Sequence, residues 1–308
     1  MTSLRTRLAP SPTGALHLGN ICTFILNWVI AKQNNWEIVL RIEDIDGPRK
    51  KSGMIEDTVD ILQWIGIDWD GPITIQSENL KASYSLLEEL IKNDSIYHCQ
   101  LSRKELEQVL SAPHDETKST YPNCRPHDIK SHNMKLGQEP TNWRFAASDS
   151  PHIVTDEIRG KKTFSDVQDF VVWTKENKPA YQLAVVADDH RQQITDVVRG
   201  NDLFQSAAWQ EQLYWAMGWA APRWHHLPLV LGEDGKRLAK RHGDSRISTY
   251  RSRGVSPERI IGLIAMWTIS KQNRNPMTLE EFVNTFDVQL VSTTDFIFTR
   301  EDEAWLLE

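Results

Sequence analysis

The stretch APSPTGALHLGN, residues 9–20, joins a short strand-like run to an apolar segment with helical spacing. The run TSLRTRL before it predicts a strand over about residues 2–9, and the apolar positions after it predict a helix over 18–33. Two prolines and two glycines fill the joint, which is the composition of a tight turn. A strand, a turn and a helix in this order indicate an α/β fold.

The same joint also has the composition of an anion site. A helix that begins directly after a turn leaves its first backbone N–H groups unpaired, at the positive end of the helix dipole. Gly14 and Gly19 let the backbone approach a ligand closely, and His17 and Asn20 add side-chain donors. The joint matches neither the GxGxxG nor the GxxxxGK(S/T) pattern, which excludes a dinucleotide fingerprint and a P-loop. A histidine at such a turn is, by itself, equally typical of a surface or cap residue.

The first ninety residues continue the alternation of strands and helices. EIVLRIED (37–44) is an apolar run ending in acids, which is typical of a buried parallel strand. Apolar periods predict two further helices, beginning near residues 54 and 80. Strands alternating with helices of this length predict a parallel sheet with right-handed crossovers.

The second half returns to this pattern after an irregular insertion. YQLAVVADDH (181–190), ITDVVRGNDL (194–203) and HHLPLVL (225–231) are predicted as strands, with a helix over 204–217. The DDH that closes the first of these runs would then lie at a strand end, where we expect a structural role rather than catalysis.

The remaining segments differ from the two α/β halves in composition. Residues 111–141 are rich in His, Pro, Asn, Ser and Lys with little periodicity, and the chain from residue 250 onward is predicted to be helical. The predicted division is a first α/β half over 1–97, an inserted α+β segment over 98–180, a second α/β half over 181–235, and a loop with a helical segment over 236–308.

Composition limits the class of protein. The chain has 308 residues, 40% of them hydrophobic, and a formal net charge of −7, which argues against nonspecific coating of nucleic acid. No run approaches the roughly 20 apolar residues of a membrane span, and MTSLRTRLAP has no apolar signal core. Three cysteines cannot form a disulfide framework. A cytoplasmic protein without a membrane partner is therefore expected, and as a monomer, because no interface stripe stands out.

Two distant segments carry further polar residues suited to an anionic ligand. GEDGKRLAKR (232–241) places four cations within six residues after an apolar strand, and RIEDID (41–46) places Glu43 at the end of a buried strand. In open α/β sheets, ligands bind at the carboxyl ends of the strands. Taken alone, these segments are also compatible with a solvated basic loop and an ordinary polar strand end.

Together these segments resemble the class I aminoacyl-tRNA synthetases. RLAPSPTGALHLGN is similar to their first signature, with HLGN at the HIGH position, and RLAKR (237–241) lies where they carry KMSKS. RIEDID, IDWDGP (67–72), QSE (76–78), YQLAVVADDH and VVRGNDL are similar to the glutamyl-tRNA synthetase branch. The resemblance spans roughly residues 5–245 in order, and it implies a Rossmann-like parallel sheet with an inserted acceptor-type subdomain and a C-terminal helical subdomain.

The resemblance implies a ligase that activates glutamate with ATP and Mg²⁺. It implies that ATP is bound by His17, Gly19, Asn20, Arg237 and Lys240, of which His17, Asn20 and Lys240 are catalytic. It implies that glutamate is bound by Arg7, Leu8, Ala9, Pro10, Ser11, Glu43, Tyr181 and Arg199. The chain departs from the family pattern at Asn20, which replaces the second His of HIGH, and at Arg237 and Ala239, which replace the first Lys and the Ser of KMSKS.

The resemblance also raises a zinc site in the insertion. Cys99 is present in YHCQLSR, but Leu101 occupies the position of the second cysteine, while YPNCRPH offers Tyr121, Cys124 and His127. Structural zinc requires four ligands, mainly thiolate and imidazole. A lost site is expected, with a rearranged site around Cys99, Tyr121 and Cys124 as the alternative. Cys22 on the first helix is expected to be a small core residue.

The acceptor of the activated glutamate is the remaining question. Residue 308 falls about where a full glutamyl-tRNA synthetase would begin its anticodon-binding region. The chain therefore resembles the truncated paralogues that transfer glutamate to the queuosine base of tRNA(Asp). Seven Lys/Arg against one acid between 236 and 253 are compatible with an RNA partner. A short synthetase charging a tRNA 3′ end, or a catalytically idle binding module, are the alternatives.

Overall fold

The computed structural model describes residues 3–12, 14–45, 53–100, 125–134, 141–238, 245–269 and 274–308. Its strands are β1 Arg5–Leu8, β2 Glu37–Ile42, β3 Thr74–Ile75, β4 Ile96–Cys99, β5 Asn142–Phe145, β6 His152–Asp156, β7 Gly160–Phe164, β8 Phe170–Trp173, β9 Asp196–Gly200, β10 Arg223–Leu227, β11 Val230–Gly232 and β12 Phe296–Phe298. Its α-helices are α1 Leu18–Gln33, α2 Met54–Trp64, α3 Lys81–Lys92, α4 Tyr181–Arg191, α5 Phe204–Ala216, α6 Ile247–Ser252, α7 Pro257–Thr268, α8 Leu279–Thr285 and α9 Arg300–Leu307.

The first half forms a parallel sheet in the order β1-β2-β3. Strand β1 pairs with β2 from Arg5 opposite Glu37 to Leu8 opposite Leu40. Helix α1 covers this sheet with a continuous apolar surface, and its buried Cys22 confirms the expected core position. Both strands and the helix are as predicted, because alternating local pattern and turn composition agree over this stretch.

The second half contributes another parallel set, β9-β10-β6, with β7 antiparallel at its edge. The two halves meet where β9 lies beside β1. At this junction the Thr195 N–H donates to the Arg5 carbonyl at 2.9 Å, and the Thr195 hydroxyl accepts from the Arg5 N–H at 2.7 Å. The carboxyl ends of β1, β2 and β9 therefore open on the same side of the molecule.

The insertion contains a separate antiparallel sheet in the order β4-β5-β8. It packs through Trp143, Phe145 and Trp173 against a cluster that includes helices α3 and α4. Strands β6 and β7 follow it in the chain but pair with β10, so the sheet of the second half includes residues from before 181. The predicted division at residue 180 remains a proposal. In the structure, the sheet of the second half extends across this boundary through β6 and β7.

The prediction of a strand over 181–190 is wrong. This segment is helix α4, and Leu183 to Asp189 are all buried, so neither a strand period nor a helical period is visible in its sequence. Asp188, Asp189 and His190 consequently lie in the last turns of a helix rather than at a strand end. Only the length of the run could have favoured a helix.

The C-terminal segment is mainly helical but contains one strand that was not predicted. Strand β12 pairs in parallel with β11, from Val230 opposite Phe296 to Gly232 opposite Phe298. Strand β11 is itself separated from β10 by Pro228, which divides the predicted run 225–231 into two strands. A capping box formed by Thr278 and Glu281 begins helix α8.

Candidate active site

A cavity of about 600 Å³ opens where β1, β2 and β9 end. The loop after β1 and the residue after β2 meet there, because the Glu43 N–H donates to the Pro10 carbonyl at 3.0 Å. The cavity wall contains both ends of the predicted site, from the glutamate side to the ATP side. Its predicted lining residues are Ala9, Pro10, Ser11, Gly14, His17, Gly19, Asn20, Glu43, Tyr181 and Arg237.

His17 is the N-cap of helix α1. Its Nδ1 accepts the Gly19 N–H at 3.1 Å, and the Asn20 Oδ1 accepts the His17 N–H at 3.2 Å, which completes a capping box. The cap interpretation of His17 and the ligand interpretation are therefore compatible. Because Nδ1 is an acceptor, the neutral ring carries its proton on Nε2 and has a donor left for a ligand.

The protonation state of His17 follows from its surroundings. Burial, with a smaller contribution from the Arg237 cation, lowers the pKa of His17 below its ordinary value of 6.5. The ring is therefore neutral at pH 7, and its capping bond to Gly19 is retained. A neutral donor at the positive end of a helix dipole is suited to anionic oxygen atoms.

The wall next to His17 is apolar, with close backbone approach. Leu203, Leu229, Val230 and Leu238 line it together with Gly200. A Cβ at Gly200 would lie 2.9 Å from the Leu229 side chain and 2.6 Å from Asp202 Oδ1, so only glycine fits here without displacing the wall. This half of the cavity therefore suits a ligand with an apolar group next to an anionic group that accepts hydrogen bonds.

The segment that follows the KMSKS-like loop is joined to the His17 segment. The Leu18 N–H donates to the Ser245 carbonyl, and the Ile247 N–H donates to the Leu16 carbonyl, both at 2.9 Å. On the other side of that loop, Arg237 forms an ion pair with Asp202 in the cavity wall. Lys240 and Ala239 lie outside the described residues, so their predicted roles remain predictions.

Buried charges lie beneath the part of the cavity that is lined by Pro10, Ser11 and Glu43. Arg41 forms an ion pair with Asp189, with Nη1 and Oδ1 2.7 Å apart, and donates through Nη2 to Glu43 at 2.9 Å. Arg7 lies 3.4 Å from the same Asp189 carboxylate and donates to the Val198 carbonyl at 3.3 Å. Burial raises the pKa of Glu43, although the Arg41 and Arg7 cations oppose this shift. Glu43 is thus a buried acceptor held by one arginine and exposed to the cavity.

Arg199 is 5% exposed and has a different set of partners. Its Nε donates to His226 Nε2 at 3.0 Å, its Nη1 to Gln210 Oε1 at 2.9 Å, and its Nη2 to the Leu203 carbonyl at 3.2 Å. All three acceptors are neutral, and among the described residues no carboxylate forms an ion pair with Arg199. Burial lowers the pKa of Arg199, as expected for a buried cation without a counter-ion.

The predicted residues divide into three groups by position. Most line the cavity, whereas Arg7 and Arg199 lie buried behind its wall. The Leu8 side chain is fully buried in the core and is not part of the wall. Sequence reasoning missed Arg41 and His226, which hold these charges, and it expected only an unspecified structural role for Asp189. Arg41 was visible as the first residue of RIEDID, but no local signal indicated its partner 148 positions away.

The described residues hold no cluster of three or more potential metal ligands. Cys99 is buried in β4, opposite Asn142 of β5. Tyr121 and Cys124 lie outside the described residues, so the alternative of a rearranged zinc site stays a prediction. None of the helices in the described ranges is long and apolar enough to cross a membrane.

Comparison with known proteins gives the class and then the family. The chain is similar over 99% of its length to the crystal structure of a glutamate tRNA ligase from Elizabethkingia meningosepticum in complex with its amino acid, with a TM-score of 0.82 and 31% identity, and it covers 68% of that chain. The fold is therefore that of the class I aminoacyl-tRNA synthetases. The family model for the catalytic domain of class I tRNA synthetases (E and Q) matches residues 3–305, and the chain belongs to that family.

Two curated relatives differ in how much of their length is matched. A glutamyl-Q tRNA(Asp) synthetase from Rhodopirellula baltica is 40% identical over 275 residues, covering 85% of this chain and 84% of that protein. Glutamate–tRNA ligase 1 from Methylorubrum extorquens is 34% identical over 299 residues, covering 96% of this chain. The chain spans 63% of the length of that ligase.

Proposed function

We propose that this protein is a ligase that activates L-glutamate with ATP, without requiring tRNA, and transfers it to a tRNA. The observation that supports glutamate as the substrate is the net charge of the buried cluster behind the cavity. Arg7, Arg41 and Arg199 face two carboxylates, Glu43 and Asp189, while the neighbouring buried Asp188 is paired with Arg191. The cluster is therefore left with one uncompensated positive charge. Glutamate carries one net negative charge at pH 7, so its binding neutralises the cluster.

In the proposed reaction, an oxygen of the glutamate α-carboxylate attacks the α-phosphorus of ATP, and pyrophosphate leaves. His17 Nε2–H and the positive end of the α1 dipole stabilise phosphate charge, while Glu43 accepts the substrate ammonium. By resemblance, Lys240 stabilises the transition state. Mg²⁺ bound with ATP would supply further charge neutralisation, and Asp202 of the wall, which is paired with Arg237 in this structure, would be its carboxylate ligand on the nucleotide side.

Pyrophosphate–ATP exchange without tRNA tests this activation step. We expect exchange with glutamate and at least about 100-fold lower kcat/KM with glutamine, which leaves the buried cation unpaired. Aspartate should also be poor, because its shorter side chain cannot place both carboxylates at once. Lys240→Ala should abolish most of the exchange. Equal exchange with glutamine, or none with any of the three amino acids, would contradict the proposal.

For the acceptor, we propose the queuosine base of tRNA(Asp). Support comes from the Rhodopirellula baltica glutamyl-Q tRNA(Asp) synthetase, which matches this chain over most of both lengths. The test is transfer of labelled glutamate to tRNA(Asp) with and without queuosine, each with its 3′ end blocked. Labelling that requires queuosine and survives the blocked 3′ end is expected. Labelling that persists without queuosine would contradict this acceptor.

A second candidate is a glutamate–tRNA ligase that charges the 3′ end of a tRNA. The Methylorubrum extorquens ligase favours it, because it matches 96% of this chain. The blocked 3′ end distinguishes the two candidates, since 3′ charging is then lost. Periodate destroys both the 3′ diol and the queuosine diol, so it serves as a control that removes both acceptors. Action as a cytoplasmic monomer remains a prediction from the sequence, as does the idle binding module suggested by Ala239.

A further inference from the structure

His226 and Asp156 form a hydrogen-bonded chain that ends on Arg199. The three residues come from neighbouring strands β6, β10 and β9. His226 Nδ1 lies 2.6 Å from Asp156 Oδ2, and His226 Nε2 accepts from Arg199 Nε at 3.0 Å. His226 and Asp156 have side chains with no exposed surface. Neither residue touches the cavity, so any effect on a substrate has to pass through Arg199.

The position of the protons in this chain is determined by its surroundings. Asp156 also accepts the backbone N–H groups of Ile158, Arg159 and His226. Although burial opposes its ionisation, these bonds and the His226 ring lower the pKa of Asp156, so it is an acceptor only. Burial lowers the pKa of His226 to about 4. The neutral ring therefore donates from Nδ1 to Asp156 and presents the Nε2 lone pair to Arg199.

The plane of the Arg199 guanidinium is held from several directions. Besides His226, it donates to Gln210 and to the Leu203 carbonyl, and Trp224 lies 4.9 Å below its central carbon. The His226 ring is stacked on Phe204 at 4.7 Å, so it cannot rotate away. Three of the five N–H groups of Arg199 are used in this way. The other two have no acceptor among the described residues.

We infer that His226, fixed in one tautomer by Asp156, is a positioning residue that aims Arg199 at the side-chain carboxylate of the substrate. This inference rests on the proposed activation of glutamate and names the source of its selectivity over glutamine. If Asp156 could not accept, the His226 proton would move to Nε2 and face the Arg199 N–H groups. Arg199 would then lose its acceptor and the orientation needed for a bidentate contact.

Substitutions at His226 separate the Arg199 contact from the Asp156 contact. The amide oxygen of Gln reaches the position of Nε2, whereas the amide of Asn reaches only the position of Nδ1. In His226→Asn and Asp156→Asn we expect KM for glutamate to rise about tenfold or more, with KM for ATP changed less than twofold. The preference for glutamate over glutamine should fall by at least tenfold. His226→Gln should restore most of the selectivity.

The neighbouring pair of His225 and Asp196 supplies a matched control. His225 Nε2 lies 2.9 Å from Asp196 Oδ1, and both residues are buried, on β10 and β9. They contact Trp36 and Arg223 rather than Arg199. His225→Asn should therefore match His226→Asn in lost stability while leaving the glutamate KM and the selectivity unchanged. A comparable change in selectivity in both variants would overturn the inference, because it would indicate general loosening of the sheet.

Calorimetric titration with glutamate alone gives a readout that does not need catalysis. A tenfold weaker Kd in His226→Asn, with wild-type affinity in His225→Asn, supports the inference. Wild-type affinity in a folded His226→Asn overturns it. If the wild type binds glutamate but shows no exchange, the proposed activation reaction fails, and the titration still decides the role of His226. If the wild type does not bind glutamate, both proposals are wrong.

Discussion

At the scale of single residues, His17 has two roles that one substitution can separate. Its Nδ1 caps helix α1, and its Nε2–H is the donor that we assign to phosphate. Asn is among the best N-cap residues, so His17→Asn should keep the cap while removing the donor. His17→Ala removes both.

We therefore expect His17→Asn to lower the exchange rate about 100-fold while changing the free energy of unfolding by less than about 0.5 kcal/mol. His17→Ala should lower the rate similarly and lose about 1 kcal/mol of stability in addition. Urea unfolding and the exchange assay measure the two effects. An unchanged rate in His17→Asn would show that the histidine acts only as a cap.

The pKa of His226 makes a second prediction at this scale. Its folded-state value of about 4 lies below the ordinary value of 6.5, so the unfolded chain binds its proton first as pH falls. The contribution of neutral His226 to the free energy of unfolding is fully present above pH 6.5 and is lost as pH falls to about 4. It amounts to as much as about 3 kcal/mol. Protonation of Asp156 lowers the stability further only at pH values below the ordinary carboxyl range, because the pKa of Asp156 is lowered.

Urea unfolding at pH 7, 5.5 and 4.5 checks this prediction against His226→Gln, which cannot titrate. The wild type should lose more stability than the variant over this range. The difference between the two should grow steadily toward pH 4.5. Parallel curves would mean that His226 has an ordinary pKa in the folded protein.

At the scale of elements, Asp295 joins the C-terminal segment to the cavity wall. Its Oδ1 accepts the Asn201 side-chain amide at 2.7 Å and the Leu229 N–H at 2.9 Å, just before β12 pairs with β11. Leu229 and Val230 form the apolar wall beside His17. The unpredicted strand β12 therefore supports the half of the cavity that we assign to the nucleotide.

Asp295→Ala should accordingly raise KM for ATP about five- to tenfold and leave KM for glutamate within twofold. The matched control is Asp287→Ala, which removes an aspartate that caps only the short turn at Gln289. Steady-state exchange kinetics at varied ATP and varied glutamate give both constants. Equal increases in both constants would contradict a role confined to the nucleotide side.

How far the sequence predicted the elements depended on whether the pattern was local. Helix α1 and strands β1 and β2 were predicted because a Pro/Gly turn separates β1 from α1, and because a short apolar run that ends in acidic residues marks β2. Helix α4 was mistaken for a strand because it is buried on every side, and β12 was missed because three residues carry no period. The cavity-lining residues came from motif resemblance. Pairs such as Asp156 and His226 join residues far apart in sequence and needed the structure.

At the scale of the whole molecule, the cavity lies across the junction of the two halves of the sheet. Ser11 and Glu43 come from the first half, whereas Tyr181 and Gly200 come from the second. A ligand that contacts both halves binds only the fully folded protein, so it should stabilise the entire chain rather than one half.

Thermal unfolding should therefore show one transition, and its midpoint temperature should rise with glutamate. At a glutamate concentration 100 times its Kd, the free energy of unfolding should increase by about 2.7 kcal/mol. ATP should add to this increase. Glutamine at the same concentration should have little effect, because it leaves the Arg199 cation uncompensated. Two separate transitions, only one of them moved by glutamate, would show that the halves unfold independently.

The junction of β1 with β9 also determines when this protein can fold during its synthesis. One edge of strand β1 pairs with β2, which follows about thirty residues later in the chain. The other edge of β1 pairs at Thr195, some 190 residues further along the chain. At roughly 5–20 residues per second, a ribosome needs about 10–40 s to deliver that partner. Throughout this interval the backbone N–H and C=O groups along one edge of β1 lack their final partner, and such an open strand edge recruits chaperones or associates with other chains.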